Sequence, residues 1–278
     1  MAVDLHAHST LSDGTDAPAE LVRLALAAGL TALALTDHDT LGGIAEARAA
    51  AAGTSLALIP GVELSVDWEA GPAHFLAYWI EPGEGPLQDR LADIAEGRAR
   101  RNAEILAALA GLGCDLSGEE LRSGPGVVGR PHIAAALVRR GHVPDMPAAF
   151  DRYLARGRPA YRPRTRLTAG EAVALAKRSG GPAVLAHPHT VAAGAEAYAH
   201  ALEAFAALGG AGVECRYPDY PPDLVAHLEA MTRRLGMAPT GGSDYHGAHR
   251  PGVTLGKGTG DLLVPDSVIA ELRLRAGI

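Results

Sequence analysis

The chain has 278 residues, of which 47% are hydrophobic and 21% charged, enough apolar material for a large core and too much for a chain that stays disordered. A formal net charge of −7 excludes an overall basic coat for nucleic acid, and an aromatic content of 4% argues against a surface built on base stacking. Two cysteines, Cys114 and Cys215, cannot frame a disulfide scaffold and suit a reducing compartment, so a cytoplasmic location is expected.

Read in chain order, apolar runs at 3–8, 31–36, 56–59 and 74–80 have the length and flanks of strands, and amphipathic stretches at 18–28 and 43–52 have helical periodicity. Past residue 166 the alternation resumes, with helices at 168–179, 198–208 and 223–235 and strands at 183–186, 211–216 and 238–242. Thr168 and Glu171 have capping-box spacing. Strand–helix alternation of this kind predicts an α/β fold, a parallel sheet or barrel with helices outside. Between 87 and 166 no strand is expected. Helices at 91–112, 130–140 and 146–156 are read there as an insertion, which divides the chain into 1–90, 91–166 and 167–278. The span 130–166 holds nine arginines, no lysine and only Asp145 and Asp151 as acids, a cationic island in an acidic chain. Asp4 and His6 break any signal-peptide core at the start, and no apolar run reaches 18 residues, so no membrane span is expected.

Acids and histidines collect at the ends of the predicted strands. His6 and His8 stand at i and i+2, hence on one face of an extended strand, and Asp244 and His246 repeat that spacing. His38 sits in Thr36-Asp37-His38-Asp39 after the second strand, Glu63 follows the third, His74 opens the fourth, His187 precedes Pro188, and Asp13 lies in the first strand-to-helix loop. Imidazole with carboxylate is the ligand set of Zn, Mn or Fe hydrolases. Buried together without cations, three carboxylates and six imidazoles would be costly to desolvate. Nine ligand groups exceed one ion's coordination, so two or three divalent ions (Mn, Fe or Zn) are expected, with Glu63 as a natural bridge.

These elements, namely Asp4-Leu5-His6-Ala7-His8-Ser9-Thr10, Leu35-Thr36-Asp37-His38-Asp39, Gly61-Val62-Glu63-Leu64-Ser65, Ala186-His187-Pro188 and Gly242-Ser243-Asp244-Tyr245-His246, together resemble the polymerase and histidinol phosphatase (PHP) family. The resemblance implies a distorted (β/α)7 barrel carrying a small helical cap domain and a trinuclear centre. Matching positions would have His6, His8, Glu63 and Asp244 hold one ion, Glu63, His74 and His187 a second, and Asp13, His38 and His246 a third. Asp13 stands where some members have histidine, and its hard oxygen slightly favours Mn or Fe over Zn. Gly129-Arg130-Pro131-His132-Ile133-Ala134 is similar to the subgroup that removes the 3′-phosphate of nucleoside 3′,5′-bisphosphates or trims short RNA from its 5′ end.

The expected activity is therefore phosphoester hydrolysis by a metal-held hydroxide. The partner is a phosphorylated small molecule (a nucleotide) or the 5′ end of a short RNA, with neither a membrane nor an obligate protein partner. Arg98, Arg101 and Asn102 share one helical face, and Arg130 and His132 open the next helix; these five are the expected phosphate contacts. His189 is the expected contact to the leaving group, and Asp37, with Asp39, orients ligands from behind. Alternative readings are a histidinol-phosphate phosphatase and a non-catalytic metal-binding structural module. His142, His200, His227 and His249 are read as surface or structural.

Overall fold

A computed structural model describes every residue except 1, 70, 119, 120, 122–127 and 165. The chain divides into one unit of Met1–Asp89 with Arg166–Ile278, and a second of Arg90–Thr165.

In the first unit, strands β1 (Val3–Asp4), β2 (Ala32–Leu35), β3 (Ala57–Trp68), β4 (Gly71–Tyr78), β6 (Ala183–Leu185), β7 (Gly212–Arg216) and β8 (Ala238–Gly241) follow one another around a nearly closed barrel-like sheet, while β5 (Leu167–Thr168) pairs only with β3. Helices α1 (Pro18–Ala27), α2 (Ile44–Ala51), α6 (Ala169–Arg178), α7 (Ala195–Ala207), α8 (Pro222–Arg234) and α9 (Ser267–Ala276) alternate with the strands. Closure comes at the seam between β1 and β8. Leu5 donates to the Gly241 carbonyl at 3.3 Å and His8 to Tyr245 at 2.9 Å. The buried carboxylate of Asp4 accepts from the backbone of His6 (3.2 Å), Ser243 (2.9 Å) and Gly256 (2.7 Å), which ties three segments at that seam. Val3, Leu5, Ala34, Ile59, Leu76, Val184 and Leu272 fill the core. Each fully buried aliphatic side chain of this kind contributes about 1.5–3 kcal/mol.

The sheet departs from an all-parallel order. β3 runs parallel to β2 as far as the Leu35–Pro60 pair, then turns antiparallel to β4 from the Gly61–Tyr78 pair onward. β4 is also antiparallel to β6. Glu63 therefore lies inside a 12-residue strand instead of following a short one, and His74 lies within β4 instead of opening it. In this register Glu63 faces Leu76 and Ser65 faces His74, so both candidate ligands project from the same face of the hairpin. Helix α6 starts with the capping box predicted for it: Thr168 Oγ1 accepts from Glu171 N, and Glu171 Oε2 accepts from Thr168 N, each at 3.3 Å.

The second unit is helical and has its own core of Ile105, Leu109, Ile133, Leu137 and Leu154. Most of α3 (Pro86–Ala110) belongs to it, followed by α4 (Arg130–Arg139) and α5 (Met146–Ala149); α5 runs on into a π-helical turn, Phe150–Leu154. Asp145 caps α5 by accepting from Ala148 N at 2.8 Å. Among the described residues, no helix is long and apolar enough to cross a membrane.

Candidate metal centre

His6 and His8 continue the line of β1 and are fully buried, with their Nε2 atoms 3.1 Å apart. The loop after β8 presses against them. A Cβ on Gly242 would lie 2.4 Å from the Cβ of His6, so only glycine permits this approach. Asp244 follows with φ of +50°, a left-handed conformation that few side chains adopt, and its Oδ1 lies 3.3 Å from Nε2 of both His6 and His8.

Glu63 sits at the centre. Its Oε1 meets His187 Nε2 (2.9 Å) and His74 Nδ1 (3.0 Å), and its Oε2 meets His38 Nδ1 (3.0 Å), His8 Nε2 (3.1 Å) and His6 Nε2 (3.4 Å). Asp13 lies 3.3–3.6 Å from His246, His8 and His38. All nine residues proposed as ligands converge, in four overlapping groups whose donor atoms lie within 4.8 Å of one another: His6, His8 and Asp244; His6, Glu63 and His187; His38, Glu63 and His74; His8, Asp13, His38 and His246. His6, His8, His38 and Glu63 each occur in two groups, so the grouping is more shared than three separate sets.

The hydrogen bonding around the cluster fits cations. His6 Nδ1–H donates to Glu214 Oε1 at 3.0 Å, so its Nε2 carries a lone pair. His187 Nδ1 faces Thr190 Oγ1 at 3.3 Å, whose own proton goes to the His187 carbonyl at 3.1 Å; Nε2 of His187 is again the lone-pair atom. His246 Nδ1–H donates to the Asp244 carbonyl at 2.9 Å. These lone pairs point at carboxylate oxygens, a repulsive arrangement unless positive charge lies between. Asp13 Oδ1 and His38 Nδ1 are buried and make no hydrogen bond. Without divalent ions, protons must supply the charge. Burial opposes protonation of His8, yet Asp244, Glu63 and Asp13 push its pKa up to about 10. Burial would raise the Glu63 carboxyl, but His38, His74 and His6 hold it well below its ordinary value; Asp244 is likewise held down against burial by His6 and His8. Divalent ions would replace those protons, since imidazole ligates only when neutral.

Behind the candidate ligands stand Asp37 and Asp39, expected there from the sequence, and Glu214, Tyr217 and Arg250, which were not. Glu214, fully buried within β7, accepts from His6 with one oxygen and from His187 N (2.7 Å) with the other. Its signal was a lone acid within Gly212–Arg216. Tyr217 and Arg250 both donate to Asp244 Oδ2, at 2.7 and 2.8 Å. His249, read as surface or structural, donates Nδ1–H to the Asp13 carbonyl at 2.8 Å and braces that loop. Asp37 accepts from Ser9 N (2.8 Å), Ser9 Oγ (2.6 Å) and Ser12 Oγ (2.6 Å), and Ser12 Oγ lies 3.4 Å from His8 Nδ1. Asp39 accepts from Ser65 N at 2.8 Å and pins β3.

His189 lies beside the cluster, its ring 6.0 Å from that of His187. Tyr220 O–H meets its Nδ1 at 2.7 Å, and burial together with His187 lowers its pKa. The five expected phosphate contacts all fall in the helical unit. Arg98, Arg101 and Asn102 are buried, Arg101 donates to Asn102 Oδ1 (2.9 Å), and Asn102 donates to the Val128 carbonyl (2.8 Å). Arg130 donates to the Leu154 carbonyl (3.1 Å) with its guanidinium over Phe150 and Tyr161, and His132 Nδ1 accepts from Gly129 N (3.0 Å) as a helix cap.

A barrel whose strand ends and loops converge on shared imidazole and carboxylate donors defines a metal-dependent hydrolase. The model of the PHP domain matches residues 4–111. A 3′,5′-nucleoside bisphosphate phosphatase from Chromobacterium violaceum is 36% identical over 91% of this chain and 90% of its own. The 5′–3′ exoribonuclease Rnm of Escherichia coli is 35% identical over 87% of this chain and 84% of its own. A solved structure of a Chromobacterium violaceum amidohydrolase with bound sulfate superposes with a TM-score of 0.80 at 33% identity, covering 99% of this chain and 97% of that one. The chain belongs to the PHP family.

Proposed function

We propose that this protein is a metal-dependent phosphoesterase acting on nucleotides, converting nucleoside 3′,5′-bisphosphates to 5′-monophosphates, trimming short RNA from its 5′ end, or both. The observation that carries this reading is the sharing of Glu63, whose two oxygens each face separate sets of imidazoles. Such a carboxylate suits two or three neighbouring cations. When bound, ions of this kind stabilise charge on phosphate oxygens and supply a water nucleophile at neutral pH. The relatives' substrates, nucleoside bisphosphate and RNA, favour a nucleotide over other phosphate esters.

The chain's own residues prepare the site. Glu214 fixes the His6 tautomer so that Nε2 faces the ions, and Asp37 holds Ser9 and Ser12 against the turn that carries His8. Tyr220 donates to His189 Nδ1, which places the remaining ring proton on Nε2. That N–H is then a hydrogen-bond donor for the charge that develops on the oxygen of the departing ester. Arg98, Arg101, Asn102, Arg130 and His132 give the helical unit its phosphate-binding chemistry, since arginine pairs with phosphate bidentately.

The test is a substrate panel on Mn-loaded protein: adenosine 3′,5′-bisphosphate, a short 5′-phosphorylated RNA and histidinol phosphate, followed by phosphate release and RNA length. The reading expects one or both nucleotide substrates to give the highest kcat/KM. Histidinol phosphate as the best substrate would replace it with the alternative phosphatase, and Mn binding without turnover of any of the three would favour a structural module.

A further inference from the structure

We infer that Tyr217 and Arg250 are positioning residues that make Asp244 a one-oxygen ligand. The inference rests on the reading of Asp244 as a metal ligand. Three observations converge on it. Asp244 Oδ2 accepts from both the Tyr217 hydroxyl (2.7 Å) and Arg250 Nη1 (2.8 Å), while Oδ1 alone faces His6 and His8. Arg250 Nη1 also reaches the carbonyls of Asp244 (3.2 Å) and Ser243 (3.4 Å), so the guanidinium braces the backbone where Asp244 holds its left-handed conformation. The two donors also support each other, because the Arg250 guanidinium stacks on the Tyr217 ring at 4.9 Å.

The chemistry follows from the carboxylate's two oxygens. An unrestrained aspartate can swing and chelate one ion with both. With Oδ2 held by two strong donors, chelation would mean giving up both hydrogen bonds, so Asp244 offers a single oxygen in a fixed direction. Tyr217 comes from just after β7, Arg250 from the one-turn helical segment after β8, so the clamp couples two strand ends to one ligand. Outside the pair, Tyr217 packs edge-on against His187 at 5.8 Å, and His189 and Tyr220 flank it at 5.1 and 5.3 Å.

The experiment is calorimetric titration of the metal-stripped protein with Mn²⁺, comparing Tyr217→Phe, Arg250→Met, Arg250→Lys and Asp244→Asn, alongside kcat and KM for adenosine 3′,5′-bisphosphate at limiting and excess Mn²⁺. Tyr217→Phe and Arg250→Met are expected to weaken one ion by about tenfold or more. kcat should fall at limiting Mn²⁺ and recover in excess, KM should hold, and Arg250→Lys should restore part of the affinity. Wild-type Mn²⁺ binding in Tyr217→Phe and Arg250→Met, with only thermal stability reduced, would overturn the clamp. Asp244→Asn separates the two claims. If it loses an ion while the clamp variants lose nothing, the clamp alone is wrong; if it binds Mn²⁺ normally, the reading of Asp244 as a ligand is wrong. Tyr217→Phe deletes one oxygen, so it remains informative if Arg250→Met fails to fold.

Discussion

Replacing Glu214 by Gln changes one atom in a fully buried group and has a consequence that can be worked through. The carboxylate accepts twice, from His6 Nδ1–H at 3.0 Å and from His187 N–H at 2.7 Å. An amide can accept with only one of its two ends. If its oxygen faces His6, its NH2 meets the His187 N–H donor to donor. If its NH2 faces His6, the imidazole must take the other tautomer, and the proton on Nε2 then blocks the metal side. The first arrangement leaves a buried donor without its acceptor, at about 1–3 kcal/mol; the second keeps both contacts but turns the metal-facing nitrogen of His6 into a donor. Where the loss falls on His6, it falls on metal affinity, for which such changes cost about 10–100-fold. Titration of metal-stripped Glu214→Gln with Mn²⁺ should show that weakening, with activity partly restored by excess Mn²⁺. An affinity within about twofold of the unmodified protein would refute the argument, because no arrangement of the amide keeps both a free Nε2 on His6 and the bond from His187 N–H.

Three further outcomes are expected. His189→Ala should lower kcat by about 10–100-fold, the worth of about 1.5–3 kcal/mol for a hydrogen bond to a charged oxygen, with metal content unchanged; equal kcat would remove His189 from the reaction. Arg130→Ala should raise KM for adenosine 3′,5′-bisphosphate with metal content unchanged, and should also destabilise the helical unit by about 2–3 kcal/mol through loss of the charged bond to Leu154 and the stacking on Phe150 and Tyr161, read as faster hydrogen exchange in α4. Faster exchange with an unchanged KM would leave Arg130 a structural residue only and remove it from the phosphate contacts. Finally, Cys114 and Cys215 should resist thiol reagents until the protein is unfolded, since both are buried and burial pushes the Cys215 thiol up to about 12. Rapid modification of the native protein would contradict that packing.

The convergence of the candidate ligands was legible because their signals are local. Residues at i and i+2 on a strand share a face whatever the rest of the chain does, so His6 with His8 pointed to one ion before any fold was known. The hairpin was not legible for a physical reason. Pro60 and Gly61 read as a strand end, and they are the point at which β3 leaves β2 and takes up β4, a switch of partner that only tertiary pairing reveals. Strand β5 is two residues long, below any periodicity. Helix α9 was missed because its buried positions, Val268 and Leu272, sit beside an exposed Leu274, which blurs the apolar stripe. Glu214, Tyr217 and Arg250 could not be assigned from spacing, since their partners lie 6 to 208 residues away and only the barrel brings them together. The arginine-rich stretch was legible as charge, but the bonds made inside the helical unit by Arg130 and the capping by His132 depend on packing that composition does not encode.

The central claim is that the side chains at this rim cage cations. Crystals grown with Mn²⁺ and measured for anomalous scattering at the manganese edge test it directly. Two or three peaks enclosed by His6, His8, Asp13, Glu63, His187 and Asp244 are predicted, with Glu63 touching at least two of them. An active, Mn-supplied protein with no anomalous peak among these residues would contradict it.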